Sequence, residues 1–332
     1  MPPSSLDYYK EINGRIFSLE GKKIWIAGET GLVGRALLRA LRFRNVRLLS
    51  APHSILDLTN QQKTYAWLEK ARPDAVILAA AKVGGVLANK TRPADFIRDN
   101  LAIAHNVIEG AHRAGVERLL FLGSTCIYPK EAAMPVAESA LLTGALEESN
   151  EAYAIAKIAG LKMCEFYRRQ FGSSYISAMP CNLYGPYDRF DAYNGHVIPS
   201  LMMKFHAAKE NGAEAVSLWG SGAASREFLH VDDLAAALLH LLEYYDGAPP
   251  VNIGSGEETT IAQLALVMKE VTRFYGDIVY DPSMPDGAPR RMIDSSRMRS
   301  LGWAPSIRLD KGIAATYQWY CGRHEKRAKR TG

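Results

Sequence analysis

Short, almost uninterrupted apolar runs alternate along this chain with longer stretches whose apolar positions recur at helical spacing. The runs are Lys22–Ala27, Val46–Leu49, Asp74–Ala81, Arg118–Gly123, Tyr175–Pro180 and Val251–Gly254. Helical patterns follow several of them: Ala36–Leu41, Pro93–His112, the stretch through Tyr153 and Lys157, Pro199–Asn211 and Ile261–Tyr275. Strands buried on both faces read as continuous apolar runs, and strands alternating with helices specify a parallel sheet covered on both sides. The predicted fold class is α/β, a doubly wound parallel sheet with a smaller α/β domain.

The first strand ends in Gly28-Glu29-Thr30-Gly31-Leu32-Val33-Gly34 and runs into a helix. Strand, glycine turn and helix in that order place backbone amides where a pyrophosphate can sit, which makes the sheet Rossmann-type. The second strand leads to Ser50-Ala51-Pro52-His53-Ser54, where an acid would bind the ribose hydroxyls of NAD and an arginine the 2′-phosphate of NADP. Neither stands at the usual place, so cofactor choice is open at this point. Small residues at Ala79–Ala81, before Lys82-Val83-Gly84-Gly85, allow a flat ring to approach the backbone.

Strand ends of an open α/β sheet present its chemistry. Ser124 follows the strand Arg118–Gly123, and Cys126 points to the same side if the chain stays extended. Tyr153 and Lys157 share a helical face; an ammonium beside a phenol favours phenolate and eases proton loss. Such a pair alone is more often a half-buried tyrosine beside a surface lysine. Cys126 alone is more often a small buried hydrophobe. His196 alone reads as a loop histidine at a helix start, and Asn100 and His105 as structural.

Composition narrows the classes. The 332 residues are 48% apolar and 23% charged, and no apolar run reaches membrane-spanning length, so no membrane role is expected. Five positive charges and one negative within Arg323–Arg330 account for most of the net +5, so the body lacks the basic face that nucleic acid needs. This tail, 322–332, is expected to be a solvated, disordered end. The N-terminal stretch 1–20 mixes charges among its apolar residues and reads as an extension rather than a secretory signal. Four cysteines without paired spacing indicate neither a metal site nor a disulfide framework, and the simplest setting is a reducing cytoplasm.

Together the glycine turn, Ser124, Tyr153-x-x-x-Lys157 and Asn182-Leu183-Tyr184-Gly185-Pro186 resemble the extended short-chain dehydrogenase/reductases acting on nucleotide sugars. Ala79–Gly85, Phe121–Lys130, Tyr153–Gly160, His196–Pro199 and Arg226–Asp233 carry the likeness further, to the GDP-L-fucose synthase family, over roughly Lys22 to Tyr320. The resemblance implies C3/C5 epimerisation and C4 reduction of GDP-4-keto-6-deoxy-mannose with NADP, NAD being possible, by a homodimer. It implies a cofactor domain of 21–186 and 228–256 and a substrate domain of 187–227 and 257–321.

The same resemblance assigns Cys126 and His196 to proton exchange, Ser124 and Tyr153 to the carbon 4 oxygen, and Lys157 to the nicotinamide ribose. It puts Gly28, Thr30, Gly31, Leu32, Val33, Gly34, His53, Asp57, Leu58, Ala80, Ala81, Pro180, Asn182, Leu183 and His196 around the cofactor, with Tyr153 and Lys157. The substrate falls to Val83, Gly84, Ser124, Asn182, Lys204, Trp219, Arg226 and Arg291. Rival implications are a GDP-colitose-type enzyme and an idle cofactor-binding or scaffolding member. The family's turn reads Gly-His-Arg-Gly-Met-Val-Gly, so Glu29 and Thr30 are departures, as are His53 and Lys204 where arginine is usual. Glu29 would repel a 2′-phosphate.

Overall fold

The structure, a computed structural model, describes residues 14–191, 195–284 and 289–331. Most of the N-terminal extension and parts of two expected loops, 192–194 and 285–288, lie outside the described residues.

Elements run β1 Lys23–Ala27, α1 Leu32–Leu41, β2 Arg47–Leu49, α2 Gln61–Ala71, β3 Ala75–Leu78, α3 Val86–Thr91, α4 Pro93–Arg113 and β4 Arg118–Leu122. Then come α5 Glu151–Phe171, β5 Ser174–Pro180, β6 Asn182–Tyr184, α6 Val197–Glu210, β7 Ala215–Trp219, β8 Ser225–His230 and α7 Val231–Tyr244. The chain closes with β9 Val251–Ile253, β10 Glu258–Thr260, α8 Ile261–Thr272, β11 Asp277–Asp281, β12 Arg290–Arg291, α9 Ser296–Ser300 and α10 Leu309–Thr331.

Six parallel strands form the main sheet in the order β2-β1-β3-β4-β5-β9. The order reverses between β1 and β3, so a crevice opens at their carboxyl ends. The sheet's interior is its apolar runs: Ile24, Trp25 and Ile26 of β1 are at most 1% exposed, and burying each such side chain contributes about 1.5–3 kcal/mol. Helices α1 and α7 cover one face, while α2, α4 and α5 cover the other. The α5 helix lies close to β4 because Gly160 has no side chain; a Cβ there would come within 2.4 Å of the Phe121 ring. That close approach sets the depth of Lys157, one turn earlier on α5.

A second core gathers Tyr184, Met202, Phe205, Leu218, Leu264 and Met268, among others, from α6, β7, α8 and neighbouring strands. A small sheet, β10-β8-β12 with β6 beside β8, lies against it. Ile293, Met298 and Leu301 join the larger core instead.

Several local features go beyond the sequence reading or against it. The α7 helix has apolar residues on nearly every side and is buried over most of its length, so it offers no amphipathic stripe to read. The chain after Ser124 is not extended but turns through a 3₁₀ segment, Thr125–Ile127, closed by the Cys126 N–H donating to Ser124 Oγ at 3.5 Å. The basic end, expected to be disordered, has its backbone in α10 as far as Thr331. Among the described residues, no helix is long and apolar enough to cross a membrane.

Candidate active site

A cleft of about 1000 Å³ follows the carboxyl ends of the sheet. It is at the upper end of the range for ligand sites, room enough for a dinucleotide with a second ligand. Its floor begins at the glycine turn. Gly28 has φ +100, and a Cβ there would meet the backbone of Ala80 at 2.7 Å; a Cβ on Gly34 would meet the Gly28 carbonyl at 2.2 Å. These two glycines serve the fold. Gly31 is different: its φ is ordinary, and a Cβ would meet nothing closer than 3.5 Å. A side chain there would meet no close neighbour, so this glycine is not required by packing. Gly31 caps α1 without a side-chain bond, and no acid stands in the first turn, leaving the helix N-terminus to an anion. The turn therefore fits a dinucleotide pyrophosphate.

Ala80, Ala81, Val83 and Gly84 continue the wall. Asn100 anchors that loop, its Oδ1 accepting from Lys82 N at 2.9 Å and its Nδ2 donating to Lys82 and Phe96 carbonyls. The structural reading of Asn100 is the one its contacts support.

At the far end, Ser124, Cys126, Tyr153 and Lys157 line one wall. Burial pushes the Cys126 thiol up to about 11, against the lowering pull of Ser124 and the charges of Lys157 and Arg291. Tyr153 is also raised by burial, with the Cys126 charge adding and a hydrogen bond with Ser124 opposing. Ser124 thus interacts with both the thiol and the phenol. Burial lowers Lys157 to about 8, and its Nζ donates to Leu122 O at 2.8 Å, 5.7 Å from the Tyr153 ring centroid. The expected lowering of the phenol by this ammonium is absent, because the ammonium is turned to the strand end. A phenol that keeps its proton suits an acid.

His196 precedes α6, with its side chain 58% exposed to the cleft. Behind it is Asp188, which sequence reasoning missed. The Asp188 carboxylate is nearly buried, accepts from Arg189 N at 2.7 Å and faces His196 Nδ1 at 3.6 Å, while its second oxygen has no protein partner. The carboxylate raises His196 above the ordinary imidazole value against burial. Tyr187, at φ +73, turns the chain so that Asp188 faces inward; such a conformation costs about 1–3 kcal/mol outside glycine. The Tyr187 ring is held between Arg35, Arg39 and Trp319. No periodicity links Asp188 to His196. The only sequence signal is an acid in the loop after the Asn182–Pro186 block.

Arg226 and Arg291 enter the cleft from paired strands β8 and β12. Burial lowers Arg226, and the neighbouring Arg291 charge lowers it further, so an anion between them relieves both. All other expected cofactor residues line the cleft, His53, Asp57, Leu58, Pro180, Asn182 and Leu183 included. Lys204 and Trp219 do not; the Lys204 ammonium lies over the Trp219 ring at 5.6 Å, Trp219 being 61% exposed.

Comparison with known proteins extends this geometry. The model of the NAD dependent epimerase/dehydratase family matches residues 24–254. A GDP-L-fucose synthase of Sinorhizobium fredii is 52% identical over 91% of this chain and 96% of its own. A GDP-L-colitose synthase of Yersinia pseudotuberculosis is 35% identical over 90% and 97%. The solved structure of a GDP-L-fucose synthetase from Naegleria fowleri bound to NADP superposes with a TM-score of 0.87 at 28% identity, covering 94% of this chain and 98% of that one.

Proposed function

This chain belongs to the NAD dependent epimerase/dehydratase family and within it to the GDP-L-fucose synthases, and from that premise we propose how its cleft makes GDP-L-fucose. The reaction is inversion at carbons 3 and 5 and reduction at carbon 4 of GDP-4-keto-6-deoxy-D-mannose, with NADP as cofactor. The observation that supports the assignment of residues is that Ser124, Cys126, Tyr153 and Lys157 line one wall of the cleft, with Ser124 interacting with both the thiol and the phenol. One serine then holds the carbon 4 oxygen for both stages.

A ketone at carbon 4 acidifies the hydrogens on carbons 3 and 5, and Ser124 and Tyr153 stabilise the enolate oxygen by hydrogen bonding. His196 is the acid, since the carboxylate behind it favours its proton. Cys126 is the base; Lys157 and Arg291 favour its thiolate, and burial opposes it. When bound, the nicotinamide supplies hydride to carbon 4. Tyr153 gives the oxygen its proton, and Lys157 holds the ribose. Arg226 and Arg291 grip the diphosphate. Trp219 and Lys204 stand beyond the rim, where a protruding guanine would meet them.

The larger and smaller cores support division into a cofactor and a substrate domain, with the Ile293–Leu301 segment on the cofactor side. Helices α4 and α5 lie side by side and expose Leu101, Ile155 and Phe166, an apolar face suited to a second copy. The four cysteines are free thiols, and a reducing cytoplasm keeps Cys126 usable.

The test is product analysis with GDP-4-keto-6-deoxy-mannose and NADPH, alongside the further-deoxygenated substrate of a colitose-type enzyme. GDP-L-fucose is expected from the first. Preference for the second substrate would move the chain to the colitose reading, which its lower identity to that relative disfavours. Failure of both substrates with cofactor bound would leave the idle reading.

A further inference from the structure

The two ends of the cleft carry opposite charge. Basic side chains lining it, Lys157, Arg226 and Arg291 among them, belong to the nicotinamide and sugar end, while Lys82 is paired to Asp99 at 2.6 Å. The adenosine end is bounded by Glu29, Thr30, His53 and Asp57, and among the described lining residues there none is arginine. Asp57 turns inward on its own loop, accepting from Thr59 N and Oγ1 at 2.9 and 2.8 Å. Glu29 does not. It leaves the glycine turn and accepts from Ser50 Oγ at 2.7 Å, so the turn after β1 and the exit of β2 jointly fix a carboxylate where the adenosine ribose passes.

A carboxylate so held has acceptor capacity left for the two hydroxyls of an unphosphorylated ribose. A 2′-phosphate brings roughly two negative charges to the same place with no guanidinium to receive them. Thr30, beside Glu29, is exposed and offers only a hydroxyl.

We propose that Glu29, positioned by Ser50, is the cofactor-selecting residue, and that it lets this chain take NADH at least as readily as NADPH. The proposal rests on the cleft being a nicotinamide dinucleotide site. It concerns only the ribose end, so the NADP-bound relative and this chain share the rest of the cradle.

Binding without sugar separates the proposal from the sugar reading. Purified full-length chain is titrated with NADH and with NADPH, following nicotinamide fluorescence, for the wild type, Glu29→Gln and Thr30→Arg. NADH is expected to bind as tightly as NADPH or tighter. Glu29→Gln, which keeps the shape and removes the charge, tightens NADPH about tenfold relative to NADH. Thr30→Arg, which adds a phosphate partner on an exposed position, moves the ratio the same way. NADPH bound more than about threefold tighter than NADH by the wild type overturns the proposal, as does a ratio unmoved by Glu29→Gln. Binding of neither cofactor overturns it together with the dinucleotide reading beneath it. Binding of NADH with failure on the GDP-sugar sinks only the sugar reading.

Discussion

The proposed reductive and epimerising halves of this site are built on different kinds of chain. Tyr153 and Lys157 stand on a 21-residue helix fitted against β4 through Gly160. Cys126 stands on a 3₁₀ turn, and His196 ends a loop whose geometry depends on a left-handed Tyr187 and a buried Asp188. The first half is held by the close packing of the main core. The second is held more by polar and ring contacts: the Cys126 turn by Ser124, and the His196 loop by Asp188 and by Tyr187 between Arg35, Arg39 and Trp319. What the difference teaches is that hydride transfer needs one fixed acid, whereas inversion needs two proton carriers on opposite faces of a sugar, which one helix cannot supply.

Separating the halves is the sharpest way to test this. Tyr153→Phe is expected to lower carbon 4 reduction by about 10³–10⁴-fold, the upper range for a positioned general acid. Proton exchange at carbons 3 and 5, followed as deuterium uptake from D₂O, should fall by only about tenfold, since Ser124 still holds the oxygen. Equal losses in both would mean that the halves are not separable. His196→Gln is the converse and smaller test: deuterium uptake falls by about 10²–10³-fold while the ketone is still reduced, now giving a sugar not fully inverted. Normal GDP-L-fucose from this variant would remove His196 from the mechanism.

The same contrast governs what the sequence could disclose. The β1 strand, its glycine turn and α1 were legible because each step has a local cause: an apolar run, a backbone no side chain tolerates, an amphipathic stripe. Tyr153 and Lys157 were legible because helical spacing alone makes them neighbours. The turn that brings Cys126 to Ser124 was not, because one serine hydroxyl decides it against an extended chain that the composition equally allows. Nor was α7, whose apolar surround hides its period, or Asp188, whose tie to His196 exists only once β6 and α6 are placed. Lys204 and Trp219, expected beside the substrate from resemblance, lie against each other outside the cleft lining, a position that no spacing argument could give. Burial likewise raises the Tyr153 phenol where the neighbouring ammonium was expected to lower it, an effect that a spacing argument cannot contain.

Asp188→Asn probes the hydrogen-bonded half where it is most specific, and its effect at neutral pH is the smallest. The carboxylate raises His196, so its removal lets the imidazolium lose its proton at lower pH. Because His196 is read as the acid, its activity is present below its folded pKa and is lost as pH rises through it. The alkaline limb of deuterium uptake should therefore move to lower pH in Asp188→Asn, with about a few-fold loss near pH 7 and little change well below the wild-type limb. Cys126, already pushed up to about 11, keeps the opposite dependence, its thiolate fraction rising with pH. If instead an acidic limb moves to lower pH while the alkaline limb stays in place, the two assignments exchange and His196 is the base. A uniform loss at every pH would reduce Asp188 to a support for the loop, its second oxygen then being no more than an orphaned acceptor under Tyr187.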